Sequence, residues 1–167
     1  MRERREVQDA RRAREFQAFV AGAGGRLLHT ATLLTGETPA VNPRARRLLT
    51  LALAHTYACW DQLGGEDPYD STRRYLAVRF AHAAWHQYGG PGRARPHPDS
   101  PLAPLTPWER LLLVLRWYEG IAEEQVGALL GLTAERVHTL CERATTTLLA
   151  PPRAPAPPVT SAKVAPS

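Results

Sequence analysis

Residues 123–144 read EEQVGALLGLTAERVHTLCERA, and this stretch decides the fold. Val126, Leu129 and Leu130 recur at helical spacing and predict a short helix from Ala122 to Leu130 with one apolar face. Gly131 permits a tight turn at positive φ. Thr133 then supplies a cap for a second helix, Ala134 to about Leu149, with Val137, Cys141, Ala144 and Leu148 facing inward. Gly127 stands where two helices must cross closely. This is the grammar of a helix-turn-helix, in which the second helix packs inward and offers its outer face to a DNA groove. That outer face is Ala134, Glu135, Arg136, His138, Thr139, Glu142 and Arg143. Spacing alone fits an ordinary helical hairpin equally well.

Upstream, Thr106-Pro107-Trp108-Glu109 forms a capping box with proline at N1, opening a helix to about Tyr118. Before it, residues 89–104 (GGPGRARPHPDSPLAP) hold five prolines and three glycines and predict an extended linker. In the first 88 residues the pattern is again helical. One helix is expected over Val7–Val20 and a second over Arg26–Leu34, interrupted by Gly22, Gly24 and Gly25; ETPAVN then reads as a loop. A third helix is expected over Pro43–Leu63, and a fourth to about Tyr88, capped by Asp70 or Ser71. Leu48, Leu49, Ala52, Leu76, Phe80 and Ala84 are core candidates, and Trp60, Trp85, Trp108 and Trp117 read as core or interface. Residues 150–167 are rich in proline and alanine and read as a disordered tail. The fold class is all-α: two small helical domains, 1–88 and 105–149, joined by the 89–104 linker, the second a four-helix unit with the helix-turn-helix.

Composition narrows the function. The chain of 167 residues carries a net charge of +5, but unevenly. Residues 1–88 hold 13 arginines against nine acids, whereas residues 106–149 hold four arginines against six glutamates. The basic excess therefore lies outside the helix-turn-helix. Arg2 to Arg14 alternate with Glu3, Glu6, Asp9 and Glu15 and read as a solvated helix face. No apolar run spans a bilayer and no signal peptide is visible, so a cytoplasmic protein without membrane partner is expected. Cys59 and Cys141 make no disulfide framework. His55/Cys59 and His82/His86 are i, i+4 pairs, but no metal-binding loop accompanies them; no metal and no cofactor are expected. No G-x-S-x-G, phosphate-binding glycine loop or HExxH occurs, so neither enzymatic activity nor a small-molecule substrate is expected.

LTPWERLLLVLRWYEGIAEEQVGALLGLTAERVHTLCERATTTLL, residues 105–149, resembles the promoter-binding C-terminal domain of extracytoplasmic-function sigma factors. REFQAFVAGAGGRLLHTATLLTGE, LALAHTYACWDQL and DPYDSTRRYLAVRFAHAAWHQY resemble the actinobacterial form of the domain that binds core polymerase. The resemblance implies a transcription initiation factor whose partners are RNA polymerase core, through the β′ clamp helices, promoter DNA and an anti-sigma factor. It implies core binding at Arg46, Arg47, Leu49 and Thr50. It implies contacts to the −10 element at Arg73, Arg74, Arg79 and Trp85, and to the −35 element at Thr133, Glu135, Arg136, His138, Thr139 and Arg143.

The sequence departs from the family pattern in three places. Arg46 and Arg47 stand where a pair of acids is usual, after a loop about four residues longer. Val78 stands where the −10-reading helix carries an asparagine, and His138 and Leu140 replace basic residues of the recognition helix. These departures, with the acidic second unit, also fit a degenerate sigma paralogue acting as a protein-interaction regulator. A stand-alone helix-turn-helix regulator, dimeric on DNA, is the third reading.

Overall fold

The computed structural model describes residues 2–86 and 95–150. Among them the secondary structure is helical throughout: α1 (Arg2–Thr35), α2 (Pro43–Ala58), a 3₁₀ turn (Trp60–Gln62), α3 (Pro68–His86), α4 (Pro107–Leu113) running into a π-helical turn (Val114–Tyr118), α5 (Glu123–Leu130) and α6 (Ala134–Leu149). The all-α fold with a C-terminal helix-turn-helix is as the sequence implies. The proposed tail after Ala150, the first part of the linker (89–94) and residues 87–88 before it lie outside the described residues.

α1 corrects the expectation of two helices. It is one helix of 34 residues that runs through all three glycines. Each interior glycine costs about 1 kcal/mol relative to alanine. Packing on both sides of the weak point offsets that cost. On one side Phe16 meets the rings of Tyr57 and Trp60 at 4.9 and 5.4 Å, and Arg12 pairs with Asp61. On the other, Leu27, Ala31 and Leu34 are fully buried. Near its N-terminus Arg11–Glu15 and Arg12–Asp9 pair along the helix, as on a solvated face.

The loop 37–42 is built around a carboxylate. Glu37 accepts hydrogen bonds from the Ala45 and Arg44 backbone N–H groups at 2.7 and 3.1 Å and from Thr35 Oγ1 at 2.9 Å. It thereby satisfies two donors that the first turn of α2 leaves unpaired. Burial alone would raise the pKa of this carboxyl, but these hydrogen bonds and Arg44 outweigh it and hold the value below the usual one. α2 and α3 pack through Leu48, Leu49, Ala52 and Leu76, with a buried hydroxyl pair, Thr56 and Thr72, 2.8 Å apart. α3 starts at Pro68, earlier than Asp70 or Ser71 predicted. Asp67 caps it, its Oδ1 accepting from the Tyr69 N–H at 2.9 Å, because proline at the next position suits N1.

The Thr106 capping box is present in both directions: Thr106 Oγ1 accepts from the Glu109 N–H, and Glu109 Oε2 accepts from the Thr106 N–H at 2.9 Å. Leu111, Leu112, Leu115, Val126, Val137, Leu140, Cys141 and Ala144 form one buried cluster. Leu34, Ala77 and Ala81 of α1 and α3 belong to the same cluster. The two units therefore share a core and pack directly on one another. The later half of the proposed linker corrects the expectation of extended chain. Residues 98–105 form turns, and Leu105 and Ser100 are buried. His97 donates its N–H to Gly36 O at 2.7 Å, and Pro96 lies where a Cβ on Gly36 would stand only 2.7 Å away. Trp60 and Trp108 are half-buried, but Trp117 is 65% exposed, against expectation, because it leaves the π-helical turn on the side away from the core.

Candidate nucleic-acid interface

The helix-turn-helix is set by backbone geometry. Gly131 ends α5 in the left-handed region at φ 71°, a conformation a side chain would strain. A Cβ on Gly127 would come within 2.5 Å of Leu132 O, so glycine is required where the turn passes over α5. Thr133 Oγ1 accepts from the Arg136 N–H at 3.2 Å and starts α6. Val137, Leu140, Cys141 and Ala144 then bury one side of α6. Glu135, Arg136, His138, Thr139, Glu142 and Arg143 remain exposed on the other, together with Thr133. Leu140 is thus a core residue, only 9% exposed; a basic side chain there would not reach a phosphate.

The charges of that face are mostly paired with acids. Arg143 Nε donates to Glu109 Oε1 at 2.8 Å, which ties α6 to the start of α4. Burial pushes the Glu109 pKa up, but the Thr106 hydrogen bonds and Arg143 prevail and lower it. His138 Nδ1 lies 3.1 Å from Glu123 Oε1, and its Nε2 lies 3.3 Å from Glu142. The hydrogen bond to Glu123 raises the His138 pKa above its ordinary value, helped by the charges of both glutamates. Arg116 completes this chain through Glu123 at 3.4 Å. Arg136 is the one arginine of α6 without an ion pair among the described residues.

In the N-terminal unit the implied −10 residues are not brought to one open surface. Arg73 is ion-paired with Asp70 at 2.9 Å and with Glu119 at 3.7 Å. Arg74 pairs with Glu66. Arg79 is exposed on the opposite side of α3, beside Arg47. The Trp85 and His86 side chains lie outside the described residues. Of the implied core-binding residues, Arg46, Arg47 and Thr50 are exposed. Leu49 is a correction: it is 9% exposed and faces the α1–α3 core, so it is not available to a partner. Arg46 Nε donates to Asn42 Oδ1 at 2.9 Å. Among the described residues no three His, Cys, Asp or Glu side chains converge as a metal site. His55 stacks on Tyr75 at 4.3 Å, and Cys59 follows the end of α2.

Sequence reasoning missed the residues that join the two units. Glu119 reads as the end of a helix before Gly120. Its side chain is fully buried and accepts from Thr30 Oγ1 and from Tyr69 Oη, the latter at 2.9 Å. Arg26 lies 3.5 Å from the same carboxylate and Arg73 3.7 Å. Burial, then the hydrogen bond to Glu119, pushes the Tyr69 hydroxyl up to about 12. Arg110 is the second tie. It is 4% exposed and donates to Leu34 O of α1 and to Leu105 O. Only the bare charge of Glu119 and Arg110 inside otherwise apolar or aromatic runs hints at either role.

Residues 102–148 match the family described as Sigma-70, region 4. The match falls on α4–α6 and the turns before them, so this part of the chain is a sigma-like, DNA-binding helix-turn-helix region. No curated protein and no solved structure matches the chain. Among the described residues no helix is long and apolar enough to cross a membrane.

Proposed function

We propose that this protein is a sigma-like transcription initiation factor of the extracytoplasmic-function kind, divergent in sequence, working in the cytoplasm and catalysing no reaction itself. It binds RNA polymerase core through the exposed residues of α2 and reads promoter DNA through α6. The observation that carries this reading is the region 4 match over residues 102–148, on a helix-turn-helix whose second helix turns its outer face to solvent. Arg136, Thr139, His138 and Arg143 are the side chains there that reach a groove or a phosphate. Pull-down of RNA polymerase core followed by reconstituted transcription tests it. Association at moderate salt with promoter-dependent transcripts is expected; absence of association would sink it.

A second reading is favoured by one observation: several basic groups of the interface are occupied within the chain. Arg73 is held by Glu119, Arg143 by Glu109 and His138 by Glu123. A degenerate paralogue that binds another sigma or an anti-sigma factor would carry such neutralised surfaces. Weak DNA binding that falls little with salt, together with absence of polymerase binding, would favour it.

A further inference from the structure

A groove of 670 Å³ lies between α2, the later part of α3 and the first turn of α4. Its apolar lining comes chiefly from Leu48, Leu51, Phe80 and Pro107. Its charged lining is of one sign, Arg44, Arg47, Arg79 and Arg110, with no carboxylate among the lining residues; of these, Arg44 is paired with Glu37 at 3.2 Å. Arg110 is the most costly of these. It is 4% exposed, its described partners are two neutral carbonyl oxygens, and no described carboxylate pairs with it. Arg47 and Arg79 have no ion pair among the described residues either. Burial, with the nearby charge of Arg44, pulls the Arg110 pKa down to about 10. A desolvated guanidinium beside other guanidinium groups is stabilised by any anion that enters.

We infer that this groove is a binding site for a small organic anion, with its acidic head on Arg47, Arg79 and Arg110 and its apolar body on Leu48, Leu51 and Phe80. The volume lies in the range of small-ligand sites, and an apolar lining with a few convergent polar groups is their usual composition. A bare inorganic ion would leave the apolar surface wet, and a neutral apolar molecule would leave the arginines unpaired. The two halves of the site come from different units: Pro107 and Arg110 belong to the helix-turn-helix unit, the remainder to α1–α3. A ligand that touches both favours the packed arrangement over any separated one, by its difference in affinity for the two. Under the function proposed above, the ligand also occupies Arg47 and Arg79, which the sigma resemblance assigns to polymerase and promoter.

Calorimetric titration of the full chain with sodium decanoate, GTP and inorganic phosphate tests the site without polymerase or DNA, so its outcome is separate from that of the sigma reading. At least one of the two organic anions binds one site per chain, at least tenfold tighter than phosphate. Whether it is decanoate or GTP tells a carboxylate on an aliphatic body from a phosphate on an aromatic one. Arg79→Glu and Leu51→Glu, both at exposed positions, each weaken that binding tenfold or more, whereas Arg14→Glu, remote from the groove, does not. Arg110→Leu is avoided as the main variant because that residue also joins the units. Phosphate binding as tightly as both organic anions, absence of binding by either, or equal losses in Arg14→Glu and Arg79→Glu would overturn the proposal.

Discussion

The two units are both small and helical, yet they are held together by different means. α4–α6 meet around large side chains of their own, among them Leu111, Leu112, Leu115, Val126, Val137 and Leu140. Each element also carries its own start or stop signal: the Thr106–Glu109 box, Gly131 and Thr133. α1–α3 enclose a thinner core in which three of the seven buried residues are alanine. Their remaining buried surface, Leu34, Ala77 and Ala81, is completed by the C-terminal unit. The polar groups that join the two are also unlike. Glu119 brings a negative charge into the N-terminal unit and meets four donors; Arg110 brings a positive one, and its partners among the described residues are carbonyl oxygens. One side of the interface is electrostatically satisfied and the other is left positive. The C-terminal unit can thus organise itself locally, while the N-terminal unit depends on its neighbour.

The sharpest way to break this comparison is Glu119→Ala. It leaves Tyr69, Thr30 and Arg73 facing an empty, largely buried site, and about 3 kcal/mol of stability is expected to go. Hydrogen exchange should then rise in α1 and α3 as much as in α4. Faster exchange confined to α4–α6 would show that the N-terminal unit stands alone. Gly127→Ala acts on the other unit. Its Cβ would press on the Leu132 carbonyl, and urea unfolding should show a loss of about 2 kcal/mol, with DNA affinity falling as α6 shifts. Thr106→Ala removes only a cap and should cost about 1 kcal/mol in the same measurement.

Three smaller effects sharpen the reading of α6. Arg136→Ala should lower DNA affinity at all sequences alike and reduce the slope of log affinity against log salt by about 1. Arg143→Ala should lower thermal stability as well, because Arg143 also holds Glu109. Equal melting temperatures for the two variants would remove that distinction. His138 has a raised pKa in the fold, so its pairing with Glu123 and Glu142 is fully present below the unfolded value of about 6.5 and is lost as pH rises through the folded one. The extra positive charge on α6 follows the same course, so DNA affinity should strengthen as pH falls towards 6. His138→Gln should flatten that dependence; an unchanged pH profile would show that His138 does not face DNA.

The helix-turn-helix could be read from residues because its determinants are local. Gly127, Gly131 and Thr133 act within a few positions of themselves, and the inward positions of α6 follow from helical period. The same reasoning failed at α1, where three glycines argue for a break and only contacts with Tyr57 and Trp60 on one side and the buried core on the other make the helix continuous. At Leu49 helical period already pointed to the core and only the resemblance placed it at an outer contact; it is buried, as is Leu140, which stands where the family usually has a basic residue. Residues alone could not show that Gly36 meets Pro96, sixty positions away in the chain.

Composition and periodicity were enough to establish an all-α chain with a capped pair of helices over 122–149, since hydrophobic spacing, caps and turns operate over a few residues. Whether the units stand apart or together, and which arginines stay open to a partner, depended on the approach of α1 and α3 to α4. Charges such as Glu119 and Arg110 look alike in sequence whether solvated or buried; only their partners, 76 and 89 residues away at Leu34 and Thr30, settle which they are.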